Sequence, residues 1–398
     1  MNVRSAGAAR LAAMTLTLAL GIGFGAPALA EDCEVKIGMA GALTGAASAW
    51  GLAMKGSAEF VAAKYNEAGG LPVAGKKCRI KVISVDAQCN ASGGAAASNY
   101  LAGENVKILI GPICSPETTG FQPVSKRYGQ IFFNSSYKSD SIGPEWPLGF
   151  HMHQGPKVFA PELIKAGKQL FDFKTVVIVG PNDQGGTDSG NQSAAIYREL
   201  GVKAETEWYQ RGMTNFGPIA ARIISQDPDL VEFGGMPPPD VTNLARQLTE
   251  AGFKGYYGGM GGIGMDPVTQ GAGGVAKVKG YFWLELMPIE DPGAVKLRED
   301  YQRVMKVAPP ANAMLYTSTF TAEVIAKAIS TAGTDSDSEK LAAALRSNAP
   351  ESEYFGKGCW RGKAQYGINQ EFAFPIGMGV IKDGKYQGIK RIELPCEQ

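Results

Sequence analysis

Apolar and polar positions alternate along the chain in a way that predicts strands and helices in regular succession. Val35-Lys36-Ile37-Gly38-Met39 reads as a strand. A helix is predicted over 50–67, with Met54, Ala58, Val61 and Tyr65 on one face, and Ala68-Gly69-Gly70 ends it. A strand over 79–85, a helix over 91–102, a strand over 106–110, a helix over 117–128 and a strand over 131–133 follow. After His153 the succession restarts. Helices are predicted at 157–171, 189–200, 215–225 and 241–250. Strands are predicted at 175–179, 203–208, 230–233, 255–257 and 280–286. Three more helices are expected at 294–307, 313–329 and 338–347. Two last strands flank Lys382-Asp383-Gly384-Lys385, a hairpin signal.

Two consecutive β-α-β-α runs imply an α/β fold of two doubly wound, mainly parallel lobes. The expected division is 31–152 plus 287–367 for lobe 1 and 153–286 plus 368–398 for lobe 2. Chain crossings near His153, Leu286 and Gly367 would make a multi-strand hinge. Residues 1–30 stand apart. Arg4 and Arg10 precede the apolar stretch 11–24, and Ala28-Leu29-Ala30 is a cleavage signal. At ~14 residues the stretch is shorter than the roughly 20 a membrane span needs. This is an export signal cleaved near Ala30, which predicts a periplasmic protein.

Composition narrows the function. The formal charge of +1 becomes −1 without Arg4 and Arg10, and no basic stripe offers a nucleic-acid surface. The only two His form His151-Met152-His153. A strand would turn both to one face, but two ligands do not complete a zinc site. No metal or cofactor is expected. All six Cys follow the export signal, and an even number in an exported chain reads as disulfides. Cys33 and Cys78 each lie two residues ahead of strands expected to be neighbours. Cys89 and Cys114 lie in loops leaving adjacent strands. Cys359 and Cys396 remain. The expected pairs are therefore Cys33–Cys78, Cys89–Cys114 and Cys359–Cys396.

Ligands of open α/β sheets sit beyond the carboxyl ends of the strands. The loops there are 40–50, 86–90, 111–116 and 134–137 in the first half, and 180–186, 234–239 and 258–264 in the second. Two sets of loops on two lobes predict a cleft closed by hinge motion. The loop Gly111-Pro112-Ile113-Cys114-Ser115-Pro116 does not fit G-x-S-x-G. A disulfide-bonded Cys114 is no nucleophile, and Ser115 needs an activating base. Ser115 before Pro116 reads instead as a helix N-cap whose free amides face an anion.

The stretches "GALTGAASAWG", "YNEAGGL", "DAQCN", "ILIGPICSPETTGFQPVS" and "FFNSSYKS", in this order, carry a family resemblance. The chain resembles the periplasmic leucine/isoleucine/valine-binding proteins, the solute receptors of ABC importers, with the type I periplasmic binding protein fold. The resemblance implies a Cys89–Cys114 disulfide, in agreement with the strand argument. It implies that Ser115 binds a ligand carboxylate and that Ser135 and Tyr137 contact the ligand's carboxylate or ammonium. Trp50 would cover the ligand. Gly261 stands where the amino-acid binders have a Glu for the α-ammonium, and an unpaired ammonium in a closed cleft is costly. Gly185 and Met236 stand where Tyr residues line the family's pocket, and Gln184 is left as a polar contact. Asp183, Asp188, Glu232 and Asp266 are the acids able to supply the missing charge. The expected solute is an apolar or aromatic carboxylate, with a branched-chain amino acid as the other possibility. Expected partners are the solute and a membrane ABC permease, with the receptor a monomer.

Two other classes compete. A ligand-sensing receptor feeding a membrane signalling partner would share the fold. Gly259-Met260-Gly261-Gly262-Ile263-Gly264 satisfies G-x-G-x-x-G after a strand, and Glu285 follows as a ribose-binding acid would. That is the signature of an exported nucleotide-dependent dehydrogenase. The signature requires a helix beginning in the glycines, and 265–274 is a poor helix. The balance favours a receptor that is not an enzyme.

Overall fold

The computed structural model describes residues 33–394 and Cys396, so the export signal lies outside the described residues. The chain begins with β1 (Glu34–Gly41), α1 (Ser48–Glu67), β2 (Leu71–Val73), β3 (Lys76–Asp86) and α2 (Ala91–Gly103). It continues through β4 (Ile108–Ile110), α3 (Ser115–Tyr128), β5 (Ile131–Asn134) and β6 (Gly149–His151). The second lobe starts with α4 (Pro156–Leu170), β7 (Thr175–Pro181), α5 (Gln184–Glu199), β8 (Lys203–Tyr209) and α6 (Gly217–Gln226). There follow β9 (Leu230–Phe233), α7 (Pro238–Glu250), β10 (Tyr256–Gly259), α8 (Asp266–Ala272) and β11 (Gly280–Glu285).

The chain then returns for α9 (Pro292–Met305), α10 (Met314–Ala332), α11 (Ser338–Ser347), β12 (Glu351–Ser352) and β13 (Gly356–Lys357). Last come β14 (Cys359–Arg361), α12 (Lys363–Tyr366), β15 (Glu371–Ala373), β16 (Ile376–Lys382) and β17 (Lys385–Ile392).

The first sheet has the order β14-β15-β6-β5-β4-β1-β3-β2, and the second β17-β16-β11-β10-β9-β7-β8. Strands joined through helices pair in parallel, as in β1 with β3 and β7 with β8. The late strand β16 enters antiparallel to β11 and turns at Asp383-Gly384 into β17, as the hairpin signal predicts. The α/β two-lobe expectation holds. The third change of sheet falls between β15 and β16, a few residues beyond the expected crossing at Gly367. Glu371 pairs β15 with His151 of the first sheet, so the stretch after Gly367 still belongs to lobe 1.

Register explains the disulfides. Glu34 lies level with Arg79 and Gly41 with Asp86, which brings the preceding Cys33 and Cys78 together. Cys89–Cys114 and Cys359–Cys396 are also formed, the three pairs expected.

Several element starts differ from the sequence pattern. The helix α5 opens at Gln184, five residues early, because Asp183 caps it: its Oδ1 accepts from Gly186 N at 3.1 Å. Gly185 and Gly186 look like helix breakers but are buried packing positions. A Cβ on Gly186 would meet Pro181 O at 2.1 Å. The seven-residue helix α8 forms where 265–274 read as poor helix, and Gly273, with φ 82°, ends it. It starts after the glycines rather than in them.

Buried acids give the fold a pH dependence. Glu232 sits fully buried on the central strand β9, and burial pushes it up to about 7 against the pull of the nearby Tyr197 and Ser193 hydroxyls. Burial raises Glu285 and Glu323 likewise, to about 7. These raised carboxyls keep protons in the folded state that the unfolded chain releases above about pH 4.5. Stability is therefore full near pH 4.5 and falls as the pH rises towards 7. Glu232 alone accounts for about 3 kcal/mol. The melting temperature should drop by several degrees between pH 5 and 8. Glu232→Gln, neutral throughout, should flatten that slope in a calorimetric pH series. An unchanged slope would show that Glu232 is ionised in both states.

Candidate functional site

The candidate site forms where the carboxyl ends of both sheets face each other. The loop after β1 leads into α1, whose third residue, Trp50, is half-buried. Trp50 packs against the apolar core of the second lobe as well as against its own lobe. Its indole Nε1 is buried without a hydrogen-bond partner.

The loop after β4 carries Ile113, Cys114 and Ser115. Cys114, not Ser115, is the N-cap of α3, and Ser115 is the first helical residue. The N-cap reading of Ser115 is thus corrected. The disulfide holds Cys114 in extended backbone, and helical geometry begins one residue earlier than Pro116 alone indicates. Glu117 braces this turn. Its Oε1 accepts from Cys89 N at 2.7 Å, and its Oε2 from Ile113 N and Cys114 N, both at 3.0 Å. Burial pushes Glu117 up to about 7, against the pull of those three amides. The Ser115 hydroxyl accepts from Tyr137 N at 3.0 Å, which leaves its own proton to donate.

Ser135 and Tyr137 follow β5. Ser135 Oγ lies 2.6 Å from His153 Nε2. Burial raises the Tyr137 phenol above its ordinary value, so it faces the site as a neutral hydroxyl. His151 is bound elsewhere: Nδ1 to Glu371 Oε2 at 2.7 Å, Nε2 to Ser141 Oγ at 2.6 Å. Glu371 Oε2 also accepts from Gly155 N at 2.7 Å, and Gln154 Nε2 donates to Phe374 O at 2.7 Å. The two His therefore do structural work where the first and third crossings meet. No group of three or more His, Cys, Asp or Glu among the described residues is placed to hold a metal.

The second lobe contributes Gly185 and Gly186 from α5, Gly235 and Gly261 from loops, and Arg211 from the loop after β8. Met314, at the start of α10, completes the wall. The space these residues line is small and partly open to solvent. The lobes touch across it. A Cβ on Gly185 would lie 2.1 Å from Ser115 Oγ, and Ser139 N donates to Asp188 Oδ2 at 2.8 Å.

Trp50, Ser115, Ser135, Tyr137 and Gly261 are thus brought together, while Gln184 and Met236 are not. Gln184 is exposed, and its amide donates to Asp188 Oδ1 at 2.8 Å. Its place in the first turn of α5 turns it away while Gly185 faces the site. Met236 is fully buried in the second lobe's core. Only its backbone approaches, with its carbonyl 3.6 Å from a Cβ built on Gly261.

Arg211 was not among the expected residues. Its Nε pairs with Asp183 Oδ2 at 2.6 Å, while Nη1 is buried without a hydrogen-bond partner. The rule that pointed to the other strand ends applies equally after β8, where Tyr209-Gln210-Arg211 was the available signal. The acids considered for an ammonium are all engaged or remote. Asp183 holds Arg211, and Asp188 accepts from Ser139 and Gln184. Glu232 is sealed inside its sheet, and Asp266 lines a different cavity. Glu285 Oε1 accepts from Trp283 Nε1 at 2.7 Å, and the helix after the glycines starts only at Asp266, so no helix N-terminus opens in them to seat a pyrophosphate. Among the described residues, no Asp or Glu lines the cleft.

Two α/β lobes around a strand-end cleft match a known family description, periplasmic binding protein, over residues 34–374. The chain belongs to that family. Several of its curated relatives are named Leu/Ile/Val-binding proteins. It is 25% identical over 359 residues to the leucine-, isoleucine-, valine-, threonine- and alanine-binding protein of Pseudomonas aeruginosa. That match covers 87% of this chain and 90% of the relative. Among solved structures, a leucine-binding protein, LivK, from Thermotoga maritima superposes with a TM-score of 0.75 at 20% identity. It covers 90% of this chain and 99% of the other. An ABC transporter solute-binding protein of R. palustris in complex with benzoate superposes with a TM-score of 0.74 at 15% identity, covering 90% and 98%. These likenesses carry the fold.

Proposed function

We propose that this periplasmic binding protein is a monomeric receptor that captures an apolar or aromatic carboxylate lacking an α-ammonium and delivers it to a membrane ABC permease. One observation carries the reading. Among the described residues, the only charged side chain lining the cleft is Arg211, with a buried, unpartnered guanidinium nitrogen. A buried donor left unpaired is costly, and a carboxylate is its natural acceptor. Ser115 adds a hydroxyl proton at the start of α3, where the helix dipole favours an anion. Trp50, Ile113 and Met314 supply an apolar wall. An α-ammonium would meet no counter-charge there. Benzoate in a protein of the same fold, though not of close sequence, is consistent with such a solute. The export signal accords with a periplasmic location. The protein's role is binding rather than catalysis, since Ser115 has no base beside it and His153, depressed by burial to about 3, is a poor one for Ser135.

A thermal-shift screen of the mature, ligand-stripped protein tests this. Benzoate, 3-phenylpropanoate and 4-methylpentanoate should stabilise it, and leucine and alanine should not. A site filled at ~100 times its dissociation constant stabilises by about 2.7 kcal/mol, which is readily seen. A shift with leucine and none with the acids would overturn the reading and leave the family assignment untouched.

A further inference from the structure

We infer that the solute carries a hydroxyl as well as its carboxylate, and that Ser135, held in one polarity by His153, selects for it. The inference rests on the carboxylate reading above and goes one step further into the same cleft.

The proton positions follow from the partners. His153 Nδ1 is 2.7 Å from the Gln154 carbonyl oxygen. A carbonyl only accepts, so Nδ1 carries the proton. The ring is 2% exposed and stays neutral, with burial as the main cause of its lowered basicity. Nε2 is therefore bare and must accept. Its partner at 2.6 Å is Ser135 Oγ, so the serine proton points at the imidazole. Tyr137 meets this ring edge-on with centroids 6.1 Å apart, and His151 lies parallel to it at 6.5 Å. Hydrogen-bonded at both nitrogens, the ring holds one orientation.

Ser135 is left with lone pairs only. Ser115 is the reverse: it accepts from Tyr137 N and keeps its proton. Two serines on neighbouring loops thus present opposite polarity to one cleft. The Ser135 loop has no amide to spare at these positions. Ser135 N donates to Pro112 O, Ser136 N to Asn134 Oδ1 and Lys138 N to Ser136 Oγ. A carboxylate is an acceptor and gains nothing from Ser135. It is served by Arg211 and Ser115, which leaves Ser135 for a solute donor and Trp50 Nε1 for a solute acceptor. With no acid lining the cleft, that donor is neutral. A hydroxyl meets both needs, since it can donate to Ser135 and accept from an indole. His153 acts through Ser135 and is a positioning residue.

Matched acids test the inference by calorimetry: benzoate against 4-hydroxybenzoate, 3-phenylpropanoate against 3-(4-hydroxyphenyl)propanoate, and 4-methylpentanoate against 2-hydroxy-4-methylpentanoate. The hydroxylated member of at least one pair should bind about tenfold tighter, the worth of one buried hydrogen bond. Ser135→Ala should bring that ratio close to one. His153→Phe removes the acceptor that orients the serine and should lower the same ratio. Should that variant not fold, Ser135→Ala alone decides. Acids that bind with no preference for the hydroxyl, or a preference that survives Ser135→Ala, overturn this inference and leave the carboxylate reading standing. Failure of every acid, with leucine bound, overturns both.

Discussion

Arg211→Gln lowers the affinity for a carboxylate solute by about a hundredfold. Truncating one partner of a buried charged pair costs roughly 2–5 kcal/mol, and 2.7 kcal/mol is a factor of about a hundred. The loss has two parts. The unpartnered Nη1 donor disappears from the cleft, and Asp183, its ion-pair partner at 2.6 Å, is left with a bare negative charge beside the site. Arg211→Lys keeps the charge without the planar fork and should fall between the parent and the Gln variant. Titration calorimetry on the stripped protein measures both. The fold gives no reason for a large change in melting temperature, since Arg211 is at the surface of its lobe. If Arg211→Gln bound carboxylates as the parent does, the anion would be held by α3 and Ser115 alone.

Gly185→Leu abolishes closure. In the closed arrangement Gly185 lies directly on Ser115, and even a Cβ would come within 2.1 Å of its Oγ and 2.5 Å of its Cβ. That separation is well inside van der Waals contact, so the lobes must part. The interlobe hydrogen bond from Ser139 N to Asp188 Oδ2 would go with them. The folded lobes should not suffer, because a side chain in the first turn of a helix is favoured over glycine by up to about 1 kcal/mol. The expected result is a protein that melts at or slightly above the parent temperature, fails to bind solute, and shows no compaction on solution scattering when solute is added. The parent should contract. Solute-dependent contraction in Gly185→Leu would show that closure does not bring these two surfaces together.

The same glycine shows how far the chain could be read without coordinates. The family resemblance set Gly185 in the wall of the pocket, in place of a tyrosine. The glycine instead allows the two lobes to meet, and the space around it is small. Gln184, one residue earlier, seemed the polar contact. The direction of side chains on α5 turns it outward, and that direction depends on where the helix starts. Asp183 sets the start through a single capping bond. Met236 illustrates the same limit, since one residue decides whether a loop side chain enters the core or the cleft.

The disulfides were legible because β-strand register is regular. Cysteines at equal offsets before neighbouring parallel strands must come level. The loops of the cleft were legible for a similar reason, since the carboxyl ends of parallel strands lie on one edge. Arg211 lay on that edge and its role was still hidden. Its importance comes from an absent partner, and only the surroundings of its Nη1 reveal that.

Local sequence thus determined the α/β alternation, the two lobes, the three cysteine pairs and the strand-to-helix turn at Cys114-Ser115. These depend on periodicity, turn chemistry and strand order, which are properties of neighbours along the chain. Tertiary structure alone decided which polar groups in the cleft are spent and which remain. Hydrogen-bond satisfaction is settled between residues far apart in sequence, such as Ser135 with His153 and Arg211 with Asp183. The polarity the cleft offers a solute is the remainder of that pairing.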